Sequence, residues 1–594
     1  MKTEAPISAI VSFWLLTALF AVGFSALAVR LKEEQVDLAA EHLREMDSQS
    51  FRLVQTTGLR GRIFDRHGIP LAVNRLSRSI VVNPEAYRAV KKGDTTEALL
   101  MAAISELVPV VGRAPSVGEA GMRRHLRQAL ARPLVVWRDV SDEELARFSE
   151  RSMDFPGFDC VADAERLYPQ GRVAAHVVGR VGRDRFPTDS GDEKMNFVDK
   201  ELCGREGIEL QYDDYLRGMP GRERLLVDAR GFATSRSVVV EPQNGFDLTL
   251  TLDLRLQRAA ERQLRGWRGA CVALDPRDGA VRVLASSPAF DPNDCVPIFR
   301  SEVYERYAKD PEKPLLNRAT AGTYAPGSTY KPITALAGLR TGHGAAETYE
   351  CTGAYEIGEM RIRCTRTWGH GELDLAHAMR ESCNPYFCAL GVSSGTNALV
   401  SVSRMFGLGA RTGIDFPTDA AGVVPDAAWK ASRSADQKWR LGDLAQMSIG
   451  QGQLLATPLQ MARVAAALGT GALAVPHLNA ALSPDLRPLP LPADHLAAVR
   501  RGMRLVVEGG TGRLAGEGVD ARVIGKTGTA QVGMGATLRK NTWFIAYAEP
   551  TATSRTQEPL ALAMVVENGE SGGGTTAPMV AAVLRAFYNG EGAQ

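Results

Sequence analysis

What this 594-residue chain lacks narrows its role before any motif is read. It has no surplus of one charge: seventy Lys and Arg stand against sixty-eight Asp and Glu, a formal +2 that offers no basic face for DNA or RNA. Nucleic acid is therefore excluded as a partner. Low-complexity tracts and repeats of fixed period are missing, so the chain does not read as a linker array or a solenoid. Among Cys351, Cys364, His370 and Cys383 the spacings are longer than the short loops of zinc fingers. What is present is globular, with 45% hydrophobic and 23% charged residues, and the length predicts about three or four domains rather than one core.

One stretch is free of charge. Ile7 to Val29 spans 23 residues without Asp, Glu, Lys or Arg, enough at about 1.5 Å per residue to cross a hydrocarbon core of roughly 30 Å. It reads as a membrane helix. Ala26-Leu27-Ala28 has the small-x-small form of a signal-peptidase site, the competing reading, but the apolar run is longer than the roughly 7–15 residues of a signal h-region. Lys2 lies on one side of the run and Arg30 and Lys32 on the other, so charge alone orients it weakly. A tail of six residues cannot hold a domain, which puts the rest of the chain on the far side.

Local patterns predict a helical linker from Arg30 to about Phe51, then strand, turn and strand through Arg60–Ala72, and a largely helical stretch from Tyr87 to Arg151. Glycine-punctuated pieces around Arg166–Gly171, Gly204–Asp213 and Asp228–Gly231 predict a mixed, irregular domain ending near Pro242–Gly245. Asp247–Leu252 then alternates like a strand, and Asp253 is placed to cap a helix bearing Leu256, Ala260 and Leu264. Gly269–Leu274 and Ala280–Leu284 flank a turn and predict a hairpin. Further strands are expected at Val523–Thr529, Trp543–Tyr547 and Leu560–Val566, with a closing helix at Ala577–Tyr588. The order gives an α/β fold in which helices are inserted into an antiparallel sheet.

The chemistry starts in Tyr324-Ala-Pro-Gly-Ser-Thr-Tyr-Lys-Pro332. Ser328 and Lys331 are three residues apart, so a helix starting after Pro326-Gly327 projects both from one face. A serine hydroxyl becomes a nucleophile when a neighbouring base takes its proton, and a lysine serves once desolvation or nearby cations lower its pKa. Alone, the pair is what chance supplies in a long chain. Downstream, however, lie Ser382-Cys383-Asn384 and, on an expected strand, Lys526-Thr527-Gly528 with Thr529. Ser-x-x-Lys, Ser-x-Asn and Lys-Thr-Gly in that order resemble the motif set of penicillin-binding proteins and serine β-lactamases.

The surrounding residues resemble class B penicillin-binding proteins, the monofunctional cell-wall transpeptidases. They include Arg60-Gly-x-Ile-x-Asp-Arg-x-Gly-x-x-Leu-Ala72, Gly207-Ile-Glu209, Leu250-Thr-Leu-Asp253, Ser448-Ile-Gly-Gln-Gly452 and Thr457-Pro-Leu-Gln460. The resemblance implies a tail at 1–6, a transmembrane helix at 7–29, a pedestal at 30–242 and a penicillin-binding domain at 243–594. It implies that Ser328 attacks the penultimate D-alanyl carbonyl of a stem peptide with Lys331 as base. Ser382 would relay the proton, Asn384 would hold Lys331 and the substrate amide, and Lys526, Thr527, Gly528 and Thr529 would receive the terminal carboxylate. Backbone N–H groups of Ser328 and Thr529 would form the oxyanion hole. Expected partners are peptidoglycan stem peptides, a SEDS-family membrane glycosyltransferase and a rod-shape scaffold protein, with the catalytic domain in a bacterial periplasm. Trp429, Trp439 with Gly442-Asp443, and Trp368-Gly-His370-Gly-Glu-Leu-Asp374 look like the elongation type, whereas Asn384 departs from its frequent aspartate. A division-type enzyme, a D,D-carboxypeptidase or β-lactamase, and a non-catalytic glycosyltransferase activator are the alternatives.

Cys351, Cys364, His370 and Cys383 fall within 33 residues around the second motif. Three thiols and an imidazole are a ligand set for a structural Zn2+, and the resemblance implies zinc beside the site in some relatives. A Cys351–Cys364 disulfide, or reduced buried thiols, would be the alternatives. Cys160, Cys203, Cys271, Cys295 and Cys388 show no pairing signal.

Overall fold

The computed structural model describes residues 7–42, 50–91, 93–185, 201–296, 299–433, 438–533 and 539–591. A single helix, Ile7–Lys32, leads the chain, and its apolar side chains point outward: Phe13, Trp14, Leu19 and Phe24 are all exposed. Twenty-six residues of α-helix reach about 39 Å, more than a bilayer core, so the exposed surface is the kind a lipid would cover. The linker expected from Arg30 to about Phe51 is mostly helical where it is described, with helical residues at 39–42 and 50. Glu33–Asp37 is a π turn, part of the stretch lies outside the described residues, and Phe51–Thr56 is already a strand.

That strand pairs antiparallel with Gly221–Val227, which pairs in turn with Ala233–Val240. A second sheet is organised by the long strand Pro70–Val82. It pairs with Ile63–Phe64 near its start, with Phe158–Leu167 from Val73 to Val82, and with Leu134–Trp137 from Ile80 to Val82. Three helices, Thr96–Val111, Glu119–Gln128 and Asp142–Arg151, bury Leu107, Met122 and Phe148 around Trp137. The strand Leu134–Trp137 lies inside a stretch whose pattern reads as helix. Its Pro133 and β-branched Val135-Val136 favour a strand, but four residues are too few to give a period. The Asp247–Leu252 alternation likewise shrinks to Leu248–Thr249, which runs parallel to Ile63–Phe64.

The two halves of this region are joined by a buried charge network. Arg60 donates from Nε to Glu209 at 2.7 Å and from Nη1 to Asp213 at 2.8 Å, while Arg166 donates to the other Glu209 oxygen at 2.7 Å. Glu209 is fully buried. Burial alone would raise its carboxyl, but the two guanidinium groups outweigh that and hold it below the ordinary range.

The second domain is built on a five-stranded antiparallel sheet in the order Val281–Ser287, Gly269–Leu274, Leu560–Glu567, Arg539–Pro550, Ala521–Val532. Alternate residues face opposite ways. Cys271, Ala273, Leu562 and Met564 pack under the helices Leu254–Gln263 and Ala577–Tyr588, through Leu256, Ala260, Val580 and Leu584. Ala270, Val272, Ala563 and Val565 face the inserted helical region, with the buried helix Pro458–Thr470 across them. Asp253 caps Leu254–Gln263 as its position predicts, accepting from the N–H groups of Arg255 and Leu256.

Replacing Glu209 by Ala should strip Arg60 and Arg166 of their shared counter-charge and destabilise the N-terminal domain by about 3–5 kcal/mol, the cost of orphaning a buried ion. Urea denaturation of the full chain, followed by fluorescence, should show an early transition moving to lower denaturant.

Candidate active site

The Ser328 segment is braced from three sides. Tyr324 bridges Ala456 in antiparallel fashion, the Gly327 N–H donates to the Gly450 carbonyl at 2.8 Å, and Trp543 donates from Nε1 to the Ala325 carbonyl at 3.0 Å. Gly327 has φ +56°, which favours glycine, and a 3-10 turn covers Gly327–Tyr330. The α-helix begins only at Lys331 and runs to Arg340. The nucleophile candidate therefore sits on a tight turn before the helix, half-exposed, while Lys331 is its first residue and fully buried.

Lys331 makes three contacts, as many as an ammonium has protons. Its Nζ donates to the Ser382 carbonyl at 2.7 Å, to Asn384 Oδ1 at 2.8 Å and to Ser382 Oγ at 3.2 Å. Lys526 Nζ reaches the same Ser382 hydroxyl from the sheet side at 2.9 Å. One hydroxyl thus joins two buried amines. Burial draws Lys331 down to about 8, and burial together with the Lys331 charge draws Lys526 well below its ordinary value. Ser382 is held at φ +55°, a backbone conformation non-glycine residues rarely adopt, between the helices Leu375–Arg380 and Asn384–Ser394. The structure brings Ser382, Asn384, Lys331 and Lys526 together, and the turn carrying Ser328 packs on the Lys526 strand.

Thr527, Gly528 and Thr529 follow Lys526 on the edge strand Ala521–Val532. A Cβ on Gly528 would lie 2.8 Å from the Pro326 carbonyl oxygen and 2.9 Å from Thr329 Cγ2, so only glycine lets the strand press against the Ser328 turn. Gly572 covers the strand from behind: its N–H donates to Thr529 Oγ1 at 3.2 Å, and a Cβ there would lie 2.5 Å from the Gly528 carbonyl oxygen. Sequence reasoning missed Gly572. Its only signal was the run Gly572-Gly573-Gly574 ahead of the closing helix.

Behind Ser382, the Sγ atoms of Cys351, Cys364 and Cys383 and the His370 ring nitrogens form one cluster whose ligand atoms all lie within 4.8 Å of one another. Cys364 Sγ is 3.9 Å from Cys383 Sγ and 3.4 Å from His370 Nδ1, and Cys351 Sγ is 3.6 Å from His370 Nδ1. Tetrahedral zinc with Zn–S near 2.3 Å and Zn–N near 2.0–2.1 Å sets its ligands roughly 3.5–3.8 Å apart, so the donor set fits that ion. All eight cysteines are free thiols, the Cys351–Cys364 pair included. Four separate pieces of chain supply the set: the end of Tyr349–Cys351, the residue after Met360–Arg363, the residue before Gly371–Leu373, and the N-cap of Asn384–Ser394.

A serine turn, a buried lysine, a second serine between two amines and a lysine-bearing edge strand define a serine acyl-transfer site of the penicillin-binding kind. Family models agree: the penicillin-binding protein transpeptidase domain matches residues 269–585 and the penicillin-binding protein dimerisation domain matches residues 55–250. The chain belongs to the class B penicillin-binding proteins. It is 32% identical over 591 residues to the peptidoglycan D,D-transpeptidase MrdA of Escherichia coli K12, covering 94% of this chain and 90% of that one. It is 31% identical to MrdA of Acinetobacter baumannii, over 93% of this chain and 85% of the relative. Among solved structures, the complex of penicillin-binding protein PBP2 with MreC from Helicobacter pylori superposes with a TM-score of 0.76 at 27% identity, covering 91% of this chain and 99% of that chain. A chain described under the coordination of polymerisation and crosslinking by a peptidoglycan synthase complex superposes with a TM-score of 0.73 at 28% identity, over 97% and 98%.

Gly528→Ala should force the edge strand away from the Ser328 turn. The rate of acylation by a fluorescent penicillin is expected to fall at least tenfold, because the added methyl meets the Pro326 carbonyl oxygen and Thr329 Cγ2 of that turn as well as Trp543 Cβ.

Proposed function

We propose that this chain is an elongation-type peptidoglycan D,D-transpeptidase, held to the cytoplasmic membrane by Ile7–Lys32, with both folded domains in the periplasm. The observation that carries the reading is the Lys331–Ser382–Lys526 array beside Ser328. Ser328 Oγ attacks the penultimate D-alanyl carbonyl of a stem peptide and its proton passes to Lys331. Lys331 is suited to this because burial leaves it near the pH at which it can be neutral. The developing oxyanion lies against the N–H groups of Ser328 and Thr529, and each such donor is worth about 3–4 kcal/mol in related chemistry.

The C–N bond then breaks. Ser382, in contact with both amines, passes the proton to the departing D-alanine, leaving an ester on Ser328. An amine of a second stem peptide attacks that ester, the C–O bond breaks, and Ser328 Oγ regains its proton. Asn384 keeps Lys331 in line, and its Nδ2 is tied to the Arg363 carbonyl at 3.0 Å. Lys526, Thr527 and Thr529 receive the substrate carboxylate; Gly528 lets their strand close on the turn. A β-lactam would follow the first half only, because its leaving group stays tethered.

We further propose that Cys351, Cys364, His370 and Cys383 hold one structural Zn2+. The metal would supply a cross-link, not chemistry: it fixes Cys383, and hence Ser382 and Asn384 on either side, from behind. His370 Nε2 faces Glu381 at 3.9 Å, the outer partner expected of a ligating imidazole. The proposed partners are those of the relatives, a scaffold protein such as MreC and a peptidoglycan glycosyltransferase, met by the 55–250 domain.

Fluorescent penicillin should label the wild-type chain stoichiometrically and leave Ser328→Ala unlabelled; equal labelling would remove Ser328 as the nucleophile. Because only neutral Lys331 accepts a proton, the acylation rate should rise about tenfold per pH unit below about 8 and level off above it. Metal analysis of purified protein should find about one zinc per chain. His370→Ala should lower that content and the thermal midpoint together, and unchanged metal content would end the zinc assignment.

A further inference from the structure

The seven residues from Cys364 to His370 form a loop pinned at both ends by members of the thiol–imidazole cluster. Its backbone is also pressed onto a neighbour. A Cβ on Gly369 (φ +88°) would lie 2.0 Å from the Cys351 carbonyl oxygen, and one on Gly353 (φ +99°) would lie 2.1 Å from the Thr367 carbonyl oxygen. This fixed loop holds Trp368 at 82% exposure, the highest of any aromatic side chain among the described residues, with no ring partner among them. A large apolar ring on a rigid loop gains nothing for the fold there.

The loop is rooted at the active site. Asn384 bonds Lys331 through Oδ1 and donates through Nδ2 to the carbonyl of Arg363, the residue just before the loop. Arg361 and Arg363 lie on the outer face of the strand Met360–Arg363, where Ile362 faces inward. Arg361 is matched by Glu356 at 3.4 Å. Arg363 and Arg366 are exposed and have no carboxylate within ion-pair distance among the described residues; Glu381, close to the loop through His370, pairs with His370 and Arg380 instead. Two guanidinium groups without an ion-pair partner and a bare indole therefore stand on the strand end and loop that Asn384 ties to Lys331.

We propose that Arg363, Arg366 and Trp368 form a rim subsite that binds a peptide strand through a free carboxylate lying away from the reacting D-alanyl bond, with the indole covering the adjacent apolar part of that strand. The proposal rests on the transpeptidase reading and names what its site selects: acidic over amidated stem peptides. Guanidinium groups suit this role because they pair with carboxylates in a planar, two-pronged geometry. The cluster behind the loop makes the rim rigid, so little ordering cost is left to binding.

The test uses the full chain in detergent and two synthetic stem peptides that differ only in whether that carboxylate is free or amidated. Rates are expressed per penicillin-acylatable site, which cancels any loss of folded protein. Wild type should show a kcat/KM at least tenfold higher for the free acid. In the Arg363→Gln, Arg366→Gln double variant the ratio should collapse to within twofold. Trp368→Ala should raise KM severalfold for both peptides and keep the ratio, since the ring carries no charge. Mixing a labelled amidated donor with a free-acid acceptor, and the reverse, tells which strand the rim reads. A wild-type ratio near one, or a ratio untouched by the double variant, overturns the subsite while leaving the transpeptidase reading in place. A wild-type chain that neither takes up penicillin at Ser328 nor cross-links overturns the parent reading, and the subsite with it.

Discussion

The Ser382 hydroxyl, shared between Lys331 and Lys526, is the contact on which the rest of the site depends. Two ammonium groups on one oxygen in a buried space repel strongly, so the pair is stable only while at least one amine is neutral. That condition makes a base available where an isolated, exposed lysine would stay charged. It also requires everything around it to be closed to water, because a solvated Lys331 would return to its ordinary pKa. The helix Lys331–Arg340 is buried along nearly its whole length, and the Phe387 ring lies over the Lys331 amine, its centroid 5.4 Å away.

Closing the site from opposite directions brings backbone against backbone. The Ser328 turn, the Lys526 strand and the Gly572 turn are stacked so tightly that Gly528 and Gly572 tolerate no Cβ, and Gly450 meets Gly327 in the same way, with a Cβ there only 2.0 Å from the Gly327 carbonyl oxygen. Lys-Thr-Gly and Ser-x-Gly-x-Gly are therefore packing statements as much as chemical ones. Gly528 and Gly450 mark the places where a second chain segment presses on the nucleophile turn, and Gly572 the place where a third presses on the Lys526 strand. The strain at Ser382, φ +55°, belongs to the same arrangement. It is held by the Cys383 N–H donating to Ala378 and by the Lys331 amine on its carbonyl.

Much of this was legible in the sequence because it was written in local terms. The strands of the catalytic sheet are continuous apolar runs between turn signals, and Ala577–Tyr588 shows its period plainly. The order of Ser328, Ser382 and Lys526 named the site. What stayed hidden depends on contacts distant in sequence. Leu134–Trp137 and Leu248–Thr249 are strands because a partner strand exists, not because of their own pattern, and four or two residues cannot declare a period. Gly572 looks like any glycine-rich turn until Gly528 is seen beneath it. The 3-10 turn before Lys331 was read as helix because Ser-x-x-Lys spacing fits both. Cys351, Cys364, His370 and Cys383 were visible as ligand types, but convergence of four chain segments on one point is a property of the fold alone.

The two domains meet through paired carboxylates on a single helix end. Asp253 caps Leu254–Gln263 from within the helix's own domain, and Asp65 of the preceding domain, fully buried, accepts from the Leu254 N–H at 3.1 Å while also holding His67 and Ile69. Beside it Arg66 makes a two-pronged pair with Glu558, at 2.9 and 2.7 Å, and its N–H donates to the Leu252 carbonyl at 2.9 Å. Glu558 lies two residues before the start of the central strand Leu560–Glu567, whose far end supplies Glu567 to Arg318 and to the Tyr324 hydroxyl, four residues from Ser328. A chain of contacts thus runs from the Asp65–Arg66 turn through Glu558 and the central strand to the nucleophile segment. A load on the first domain is therefore passed through the Arg66–Glu558 ion pair to the strand whose Glu567 holds Tyr324.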